Sequence, residues 1–354
     1  MALTGLSPAG EHVEVLDRLR AVCARGELDD LGSRLSDLLD LVREDLALFE
    51  VDVASLPGGR SLVHRSAEQL LALGGKRLRP TCVMLASRVG DGFDPRARDL
   101  AVAVELVHSA TLLHDDVVDL GDLRRGAPAS RALYGNAASI FAGDWLLIEA
   151  LRRVRRAAVP GTLDRLLSVI EEMIFAESIQ LEARGHLRTD RDGWMRVAEG
   201  KTAALFRWAM LAGGRAGGLG DRACRALEDY GTHLGVAFQA VDDVLDLTGD
   251  SAATGKALFV DLRDGKMTWP LILGVERDPA LRQVIERVLR SPVAEVGLEG
   301  QILDALIATG AVEDCRAMAR ERSARAVACL DALPGSRATE ALATVARAAV
   351  ERRR

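Results

Sequence analysis

Residues 100–119 read LAVAVELVHSATLLHDDVVD, an apolar stretch that closes on three aspartates. Its apolar positions recur at helical spacing and cover most of the circumference, the pattern of a helix surrounded by other helices. Residues 226–247, ALEDYGTHLGVAFQAVDDVLDL, repeat the arrangement and again finish in aspartates. Segments 137–154 and 163–181 carry the same periodicity. Turns are marked at Gly58-Gly59, Gly74-Gly75, Pro95, Gly121, Pro160-Gly161, Gly213-Gly214, Gly217-Gly218 and Pro334-Gly335. Long apolar helices joined by short turns predict an all-α fold, an antiparallel helical bundle.

Composition agrees. Apolar residues make up 49% and aromatics only 4% of the 354 residues, and Ala, Leu and Arg dominate. These are strong helix formers, and β-branched clusters are few. No break in composition separates two domains, so residues 31–354 are expected to form one helical domain behind an extension over 1–30. The net charge of −6 gives no reason to expect a nucleic acid partner. Arg152, Arg153, Arg155 and Arg156 read as a solvated helix face. The five cysteines (Cys23, Cys82, Cys224, Cys315, Cys329) are scattered and form no CxxC pair, which predicts reduced thiols. No apolar run approaches the ~18 residues of a membrane span. The acidic first 30 residues lack the order of a signal peptide, so a cytoplasmic location is expected.

Two similar acidic clusters, one in each half of the chain, need a physical reason. Asp115 and Asp119 are four residues apart and share a helical face, as do Asp242 and Asp246. Like charges at that spacing repel, and apolar flanks make isolated charges costly. A hard divalent cation resolves both problems, and magnesium binds through one or two carboxylates plus substrate phosphates. His108 lies on the stripe of Asp115 and Asp119, and Gln239 on that of Asp242 and Asp246. Solvated acidic helix ends are the plain alternative for a single copy; two copies after long apolar helices favour metal.

A metal–phosphate site also needs fixed cations. Three sets stand out: Lys76, Arg77 and Arg79 in GGKRLRP at 74–80, Arg124-Arg125 just beyond Asp119, and Lys201-Thr202 with Lys256 and Lys266 around the second cluster. Arginine suits forked binding to diphosphate oxygens, and lysine acts as a point charge. Gly200–Thr202 is not a P-loop, because the upstream glycine pattern is missing.

The motifs GGKRLRP (74–80), ELVHSATLLHDDVVDLGDLRRGAP (105–128), GNAASIFAGDWLL (135–147), GKT (200–202), FQAVDDVLDLTGD (238–250) and GKALFVDLRDGKMTWPL (255–271) together resemble the trans-isoprenyl diphosphate synthase family, the polyprenyl synthetases. The likeness runs from about residue 30 to the end and is strongest to long-chain members that make quinone side chains. It implies an isoprenoid-synthase bundle around a central apolar cavity. It further implies a homodimer, magnesium (three ions per active site), and isopentenyl diphosphate and an allylic diphosphate as substrates, with a product delivered to membranes. Carried over by position, Asp115 and Asp119 would bind magnesium with Asp116 in support, and Asp242, beside Asp243 and Asp246, the remaining metal. Lys76, Arg79, His108 and Arg125 would bind isopentenyl diphosphate. Arg124, Lys201, Thr202, Gln239, Lys256 and Lys266 would surround the allylic diphosphate. Asp115, Asp116, Asp119, Lys201, Asp242 and Asp243 form the implied catalytic set.

Positions four and five before the first aspartate of the motif act as a floor for the growing chain in that family. They are Thr111 and Ala110 here, both small, which implies an open pocket and a long product of about C30 to C50. Trp145 is a second candidate floor lower down, and geranylgeranyl diphosphate is the alternative product. A class I terpene cyclase would lack the paired motifs and GGKRLRP, and a regulatory partner subunit would lack one acidic cluster.

Overall fold

The computed structural model describes residues 29–90, 92–249, 258–290 and 297–352. They divide into two compact units, each interrupted in sequence. The first takes its residues from 1–160, 212–219 and 334–344, the second from 161–211, 220–333 and 345–354.

In the first unit the helices are α1 (Asp29–Ala54), α2 (Leu62–Ala72), α3 (Leu78–Ser87) and α4 (Arg96–Val118). A hairpin of β1 (Leu123–Arg124) and β2 (Ala127–Pro128) follows, then α5 (Ser130–Tyr134) and α6 (Asn136–Ala157). Helix α4 is the hub, packed against α3 and α6. Leu100, Val102, Val104, Leu106 and Val107 have no exposed surface, so apolar groups are buried around the whole helix, as its sequence requires. Pro95 precedes its first turn and Asp99 lies within that turn, where a negative charge suits the helix dipole. The short hairpin has no sequence signal comparable to the helices. Its turn residues Arg125 and Gly126 have φ of 53° and 78°, the left-handed conformation a two-residue hairpin turn demands.

Helices α4 and α6 approach closely at Gly143, where a Cβ would lie 2.3 Å from His114 Nε2. The bare backbone lets the His114 ring lie on α6, with Nε2 3.2 Å from the Ile140 carbonyl and 3.3 Å from Asp144 Oδ1. Ser139 Oγ also donates to the Leu113 carbonyl at 2.9 Å. These contacts fix the rotation of the last turns of α4, which carry the first acidic motif.

The arginines of α6 are not a uniformly solvated face. Arg153 is buried and reaches Asp99 at 3.2 Å and the Asp52 carbonyl at 3.2 Å. Arg156 also pairs with Asp99, and Arg152 with Glu149. Four-residue spacing alone cannot show that acids from α1 and α4 would come to meet them.

The second unit contains α7 (Thr162–Ala183), α8 (Arg191–Val197), a π-helical segment (Ala198–Ala203) and α9 (Ala204–Ala216), whose last residues belong to the first unit. Then come α10 (Asp221–Thr248), α11 (Val260–Arg263), α12 (Trp269–Arg277), α13 (Leu281–Arg290), α14 (Leu298–Ala308) and α15 (Ala311–Cys329). The final helix, α16 (Arg337–Val350), is likewise shared between the units. Helix α10 packs along α15, with Ala240, Val244, Leu247 and Cys315 in one apolar core. A Cβ at Gly235 would sit 2.3 Å from Ala203 Cα, so this glycine lets α10 touch the backbone of the π-helical segment.

No disulfide joins Cys82, Cys224, Cys315 or Cys329 among the described residues, and Cys23 lies outside them. Among the described residues no helix is long and apolar enough to cross a membrane.

Candidate active site

In the first unit, cations gather around His108. Burial, followed by the guanidinium groups of Arg79, Arg125, Arg124 and Arg77, holds its imidazole well below the usual histidine range. The ring is neutral at pH 7 and can donate a hydrogen bond without adding charge. Arg125 is also drawn to the glycine loop, because a Cβ on Gly75 would lie 3.0 Å from its Nη2. The result is a concentration of positive charge that suits an anion with several oxygens.

Arg77 sits where that loop enters α3, at φ 48°. Its guanidinium is buried, with Nε donating to Glu50 Oε1 at 2.8 Å and Nη1 to Glu105 Oε1 at 2.6 Å. Nη2 reaches Glu50 Oε2 at 3.2 Å. This triad ties Gly74–Pro80 to α1 and α4. Sequence reasoning treated Arg77 as part of a basic run and missed Glu50 altogether. Glu105, three residues before His108, was the available signal.

Asp115 and Asp116 lie in the last turn of α4, and Asp119 caps it, donating its N–H to the Asp115 carbonyl at 2.8 Å. The buried Asp116 accepts Arg124 Nε at 2.9 Å on Oδ1, which also meets Arg124 Nη2. Arg124 is therefore held by the motif itself. Burial raises the Asp116 pKa from its ordinary value, and Arg124 opposes the rise.

In the second unit, a relay runs along one face of α10. Thr202 Oγ1 donates to Gln239 Oε1 at 2.8 Å, and Gln239 Nε2 donates to Asp243 Oδ1 at 2.9 Å. Asp243 Oδ2 accepts both the Trp194 indole N–H at 2.8 Å and the Trp269 backbone N–H at 2.9 Å. Both oxygens of Asp243 are thus engaged by protein donors, which makes it a positioning group rather than an open ligand. Asp246 accepts the backbone N–H groups of Val260 at 3.0 Å and Asp261 at 3.3 Å, capping α11. Lys201 belongs to the π-helical segment, where it pairs with Glu177 and donates to Gln180 Oε1 at 3.0 Å. Lys266 Nζ lies 3.3 Å from Asp264 and 3.9 Å from Asp261. Lys256 lies outside the described residues.

Asp242 keeps a half-exposed side chain, yet Arg352 reaches its Oδ1 at 3.0 Å. That guanidinium lies 3.8 Å from the Phe238 ring centroid and donates to the Phe238 carbonyl at 3.1 Å. In the sequence Arg352 is one of three terminal arginines and gives no sign of this role.

The donor set fits a divalent cation. Asp116 Oδ2 is buried and accepts no hydrogen bond among the described residues. Burial, then repulsion from Asp261, pushes both Asp243 and Asp246 up to about 7. Among the described residues, no three His, Cys, Asp or Glu side chains form a ready-made metal cage. Magnesium does not require one, since it retains waters and shares substrate phosphates.

The two floor positions separate. Ala110 has no exposed surface and belongs to the packed core. Thr111 is only partly buried and lies on the Asp115 side of α4, its hydroxyl bonded to the His108 carbonyl at 2.8 Å. The two positions thus differ in exposure, being a 100° step apart around the helix. Trp145 packs edge-on against His64, ring centroids 5.0 Å apart, as an ordinary interhelical contact.

A family model described as Polyprenyl synthetase matches residues 60–306. The chain is 33% identical over 323 residues to the octaprenyl diphosphate synthase of Escherichia coli (strain K12), covering 90% of this chain and 99% of that protein. The crystal structure of a polyprenyl synthase from Caulobacter crescentus CB15, complexed with calcium and isoprenyl diphosphate, is similar with a TM-score of 0.85 and 33% identity. That match covers 90% of this chain and 98% of the other. A decaprenyl diphosphate synthase structure from Rhodobacter capsulatus is similar with a TM-score of 0.79 at 33% identity, covering 96% and 99% of the two chains.

Proposed function

The chain belongs to the polyprenyl synthetase family, and from that premise we propose that it condenses isopentenyl diphosphate with an allylic diphosphate into a long all-trans polyprenyl diphosphate, using magnesium. The observation that carries the reading is the convergence of Arg79, Arg124 and Arg125 on a neutral His108, on the helix that also carries a buried aspartate with spare acceptor capacity among the described residues. Relatives named as octaprenyl and decaprenyl synthases support the long product, and the relative complexed with calcium and isoprenyl diphosphate supports the metal.

Lys76, Arg79, His108 and Arg125 bind and orient the diphosphate of isopentenyl diphosphate. Lys201, Thr202, Gln239, Lys266 and, from outside the described residues, Lys256 take the allylic diphosphate, with Arg124 assisting. Asp115 and Asp119 would hold magnesium at the first motif, and Asp242 at the second. Held by these carboxylates, magnesium would supply charge neutralisation at the departing diphosphate. Arg124, Lys201 and Lys266 share that task, which favours ionisation of the allylic carbon–oxygen bond. The apolar helices exclude water that would quench the allylic cation before the isopentenyl double bond attacks it. The released diphosphate then accepts the proton lost from the new chain.

A homodimer in the cytoplasm completes the reading. Helix α6 leaves Ile140, Phe141 and Ile148 exposed, and α7 leaves Leu167, Ile174 and Phe175 exposed. Apolar stripes at this helical spacing call for a partner surface.

The test is to incubate the purified chain with magnesium, isopentenyl diphosphate and allylic primers of several lengths, then chromatograph the dephosphorylated products. Products of about C30 to C50 are expected. Lack of condensation with every primer would refute the activity, and a stop at C20 would refute the length. The floor has its own test. Thr111→Phe is expected to shorten the main product, while Ala110→Phe should chiefly destabilise the fold by ~1–3 kcal/mol through overpacking. Shortening by Ala110→Phe with an unchanged melting temperature would reverse that assignment.

A further inference from the structure

A cavity of about 470 Å³ in the second unit is not used by any residue of the proposed mechanism. Its wall carries Arg184, Arg263, Arg282 and Arg290 against two carboxylates, Asp264 and Glu286. Both acids already have cations: Asp264 is 3.3 Å from Lys266, and Glu286 is 3.3 Å from Arg290. Arg263 is answered by Glu299. Arg282 uses Nη1 on a neutral acceptor, the Leu187 carbonyl at 3.0 Å, and so keeps its full charge.

The cavity is also preformed. Gly185 donates its N–H to the Gly265 carbonyl at 2.9 Å, joining two of the walls. Gly265 has φ 78°, and a Cβ there would sit 2.7 Å from the Gly185 nitrogen, so the two turns meet without room for a side chain. With Arg282 holding Leu187, the 184–187 turn that carries Arg184 is part of a stitched frame, whereas Arg290 is exposed and pairs within its own helix. Preorganisation of this kind lowers the entropic cost of binding. Forked guanidinium groups on a net positive wall select phosphate oxygens. No acid is left over for a metal ion, because each is already ion-paired.

We propose that this cavity is a second, metal-independent diphosphate site that retains inorganic diphosphate, the by-product of each condensation. Gly265 lines the cavity and is followed directly by Lys266, so the site adjoins a residue assigned to the allylic diphosphate. In this respect the proposal rests on the function proposed above. Its consequence is inhibition by diphosphate that isopentenyl diphosphate does not relieve.

The test is calorimetric titration of the full chain with inorganic diphosphate in the presence of a chelator. The wild type should show a class of sites that survives Lys76→Ala but weakens by about tenfold or more in Arg282→Met and in Arg184→Gln. Turnover of both variants without added diphosphate should match the wild type, while half-inhibition should need more diphosphate. If Arg282→Met does not fold, Arg184→Gln and His186→Glu, both on the 184–187 loop, supply the same comparison. Unchanged affinity and stoichiometry in the folded variants, or a wild type whose only diphosphate binding disappears with Lys76→Ala, would overturn the proposal. If the wild type condenses no substrate, the functional reading fails, and the titration still decides the cavity.

Discussion

Replacing Asp115 and Asp119 together with alanine is expected to slow condensation by about a thousandfold or more, some 4 kcal/mol of transition-state stabilisation. The two carboxylates stand one turn apart at the end of α4, beside Asp116, whose Oδ1 is already taken by Arg124. Neither Asp116 nor a neighbouring residue could therefore take over both positions. Folding should suffer little, because like charges at this spacing repel in the absence of a cation. The diagnostic result is a large loss of turnover with a thermal melt close to that of the wild type. Activity within tenfold of the wild type would show that the first motif does not carry the metal.

Arg77→Met should act in the opposite way, mainly on stability. The arginine is buried between Glu50 and Glu105, and Glu105 is itself almost fully buried. Removing one partner leaves an uncompensated charge inside the protein, at a cost of about 3–5 kcal/mol measured by urea unfolding. The triple change Arg77→Met, Glu50→Gln, Glu105→Gln should recover much of that loss, because the intact ion triad has itself been desolvated. Affinity for isopentenyl diphosphate should remain weakened in the triple variant, since the Gly74–Pro80 loop has lost its anchor. Full recovery of both properties would reduce Arg77 to a packing residue. A single variant as stable as the wild type would sink the prediction outright.

Much of the candidate site was legible because helical periodicity converts spacing into direction. Asp115 and Asp119 are neighbours on their own helix, so a four-residue step was enough to group them; Gln239, placed by spacing with Asp242 and Asp246, instead donates to Asp243. Gly74-Gly75 was readable as a turn, but its closeness to Arg125 was not. Contacts between distant segments were not legible. Nothing in the spacing joins Glu50 to Arg77, Trp194 to Asp243, or Arg352 to Asp242. Nor does the chain announce the π-helical turn that carries Lys201 and Thr202, which depends on Gly235 of another helix packing against Ala203.

By itself, the sequence determined that the chain would be helical, which turns would carry acids and which loops would carry cations, because these follow from local periodicity and charge. Only the tertiary structure decided which of those charges are open to a ligand and which are committed to the protein. It engaged both oxygens of Asp243, left one oxygen of Asp116 without a donor among the described residues, and buried Ala110 fully while leaving Thr111 partly exposed. The physical reason is burial: the cost of removing a group from water depends on every segment packed around it, and those segments come together only when the chain folds.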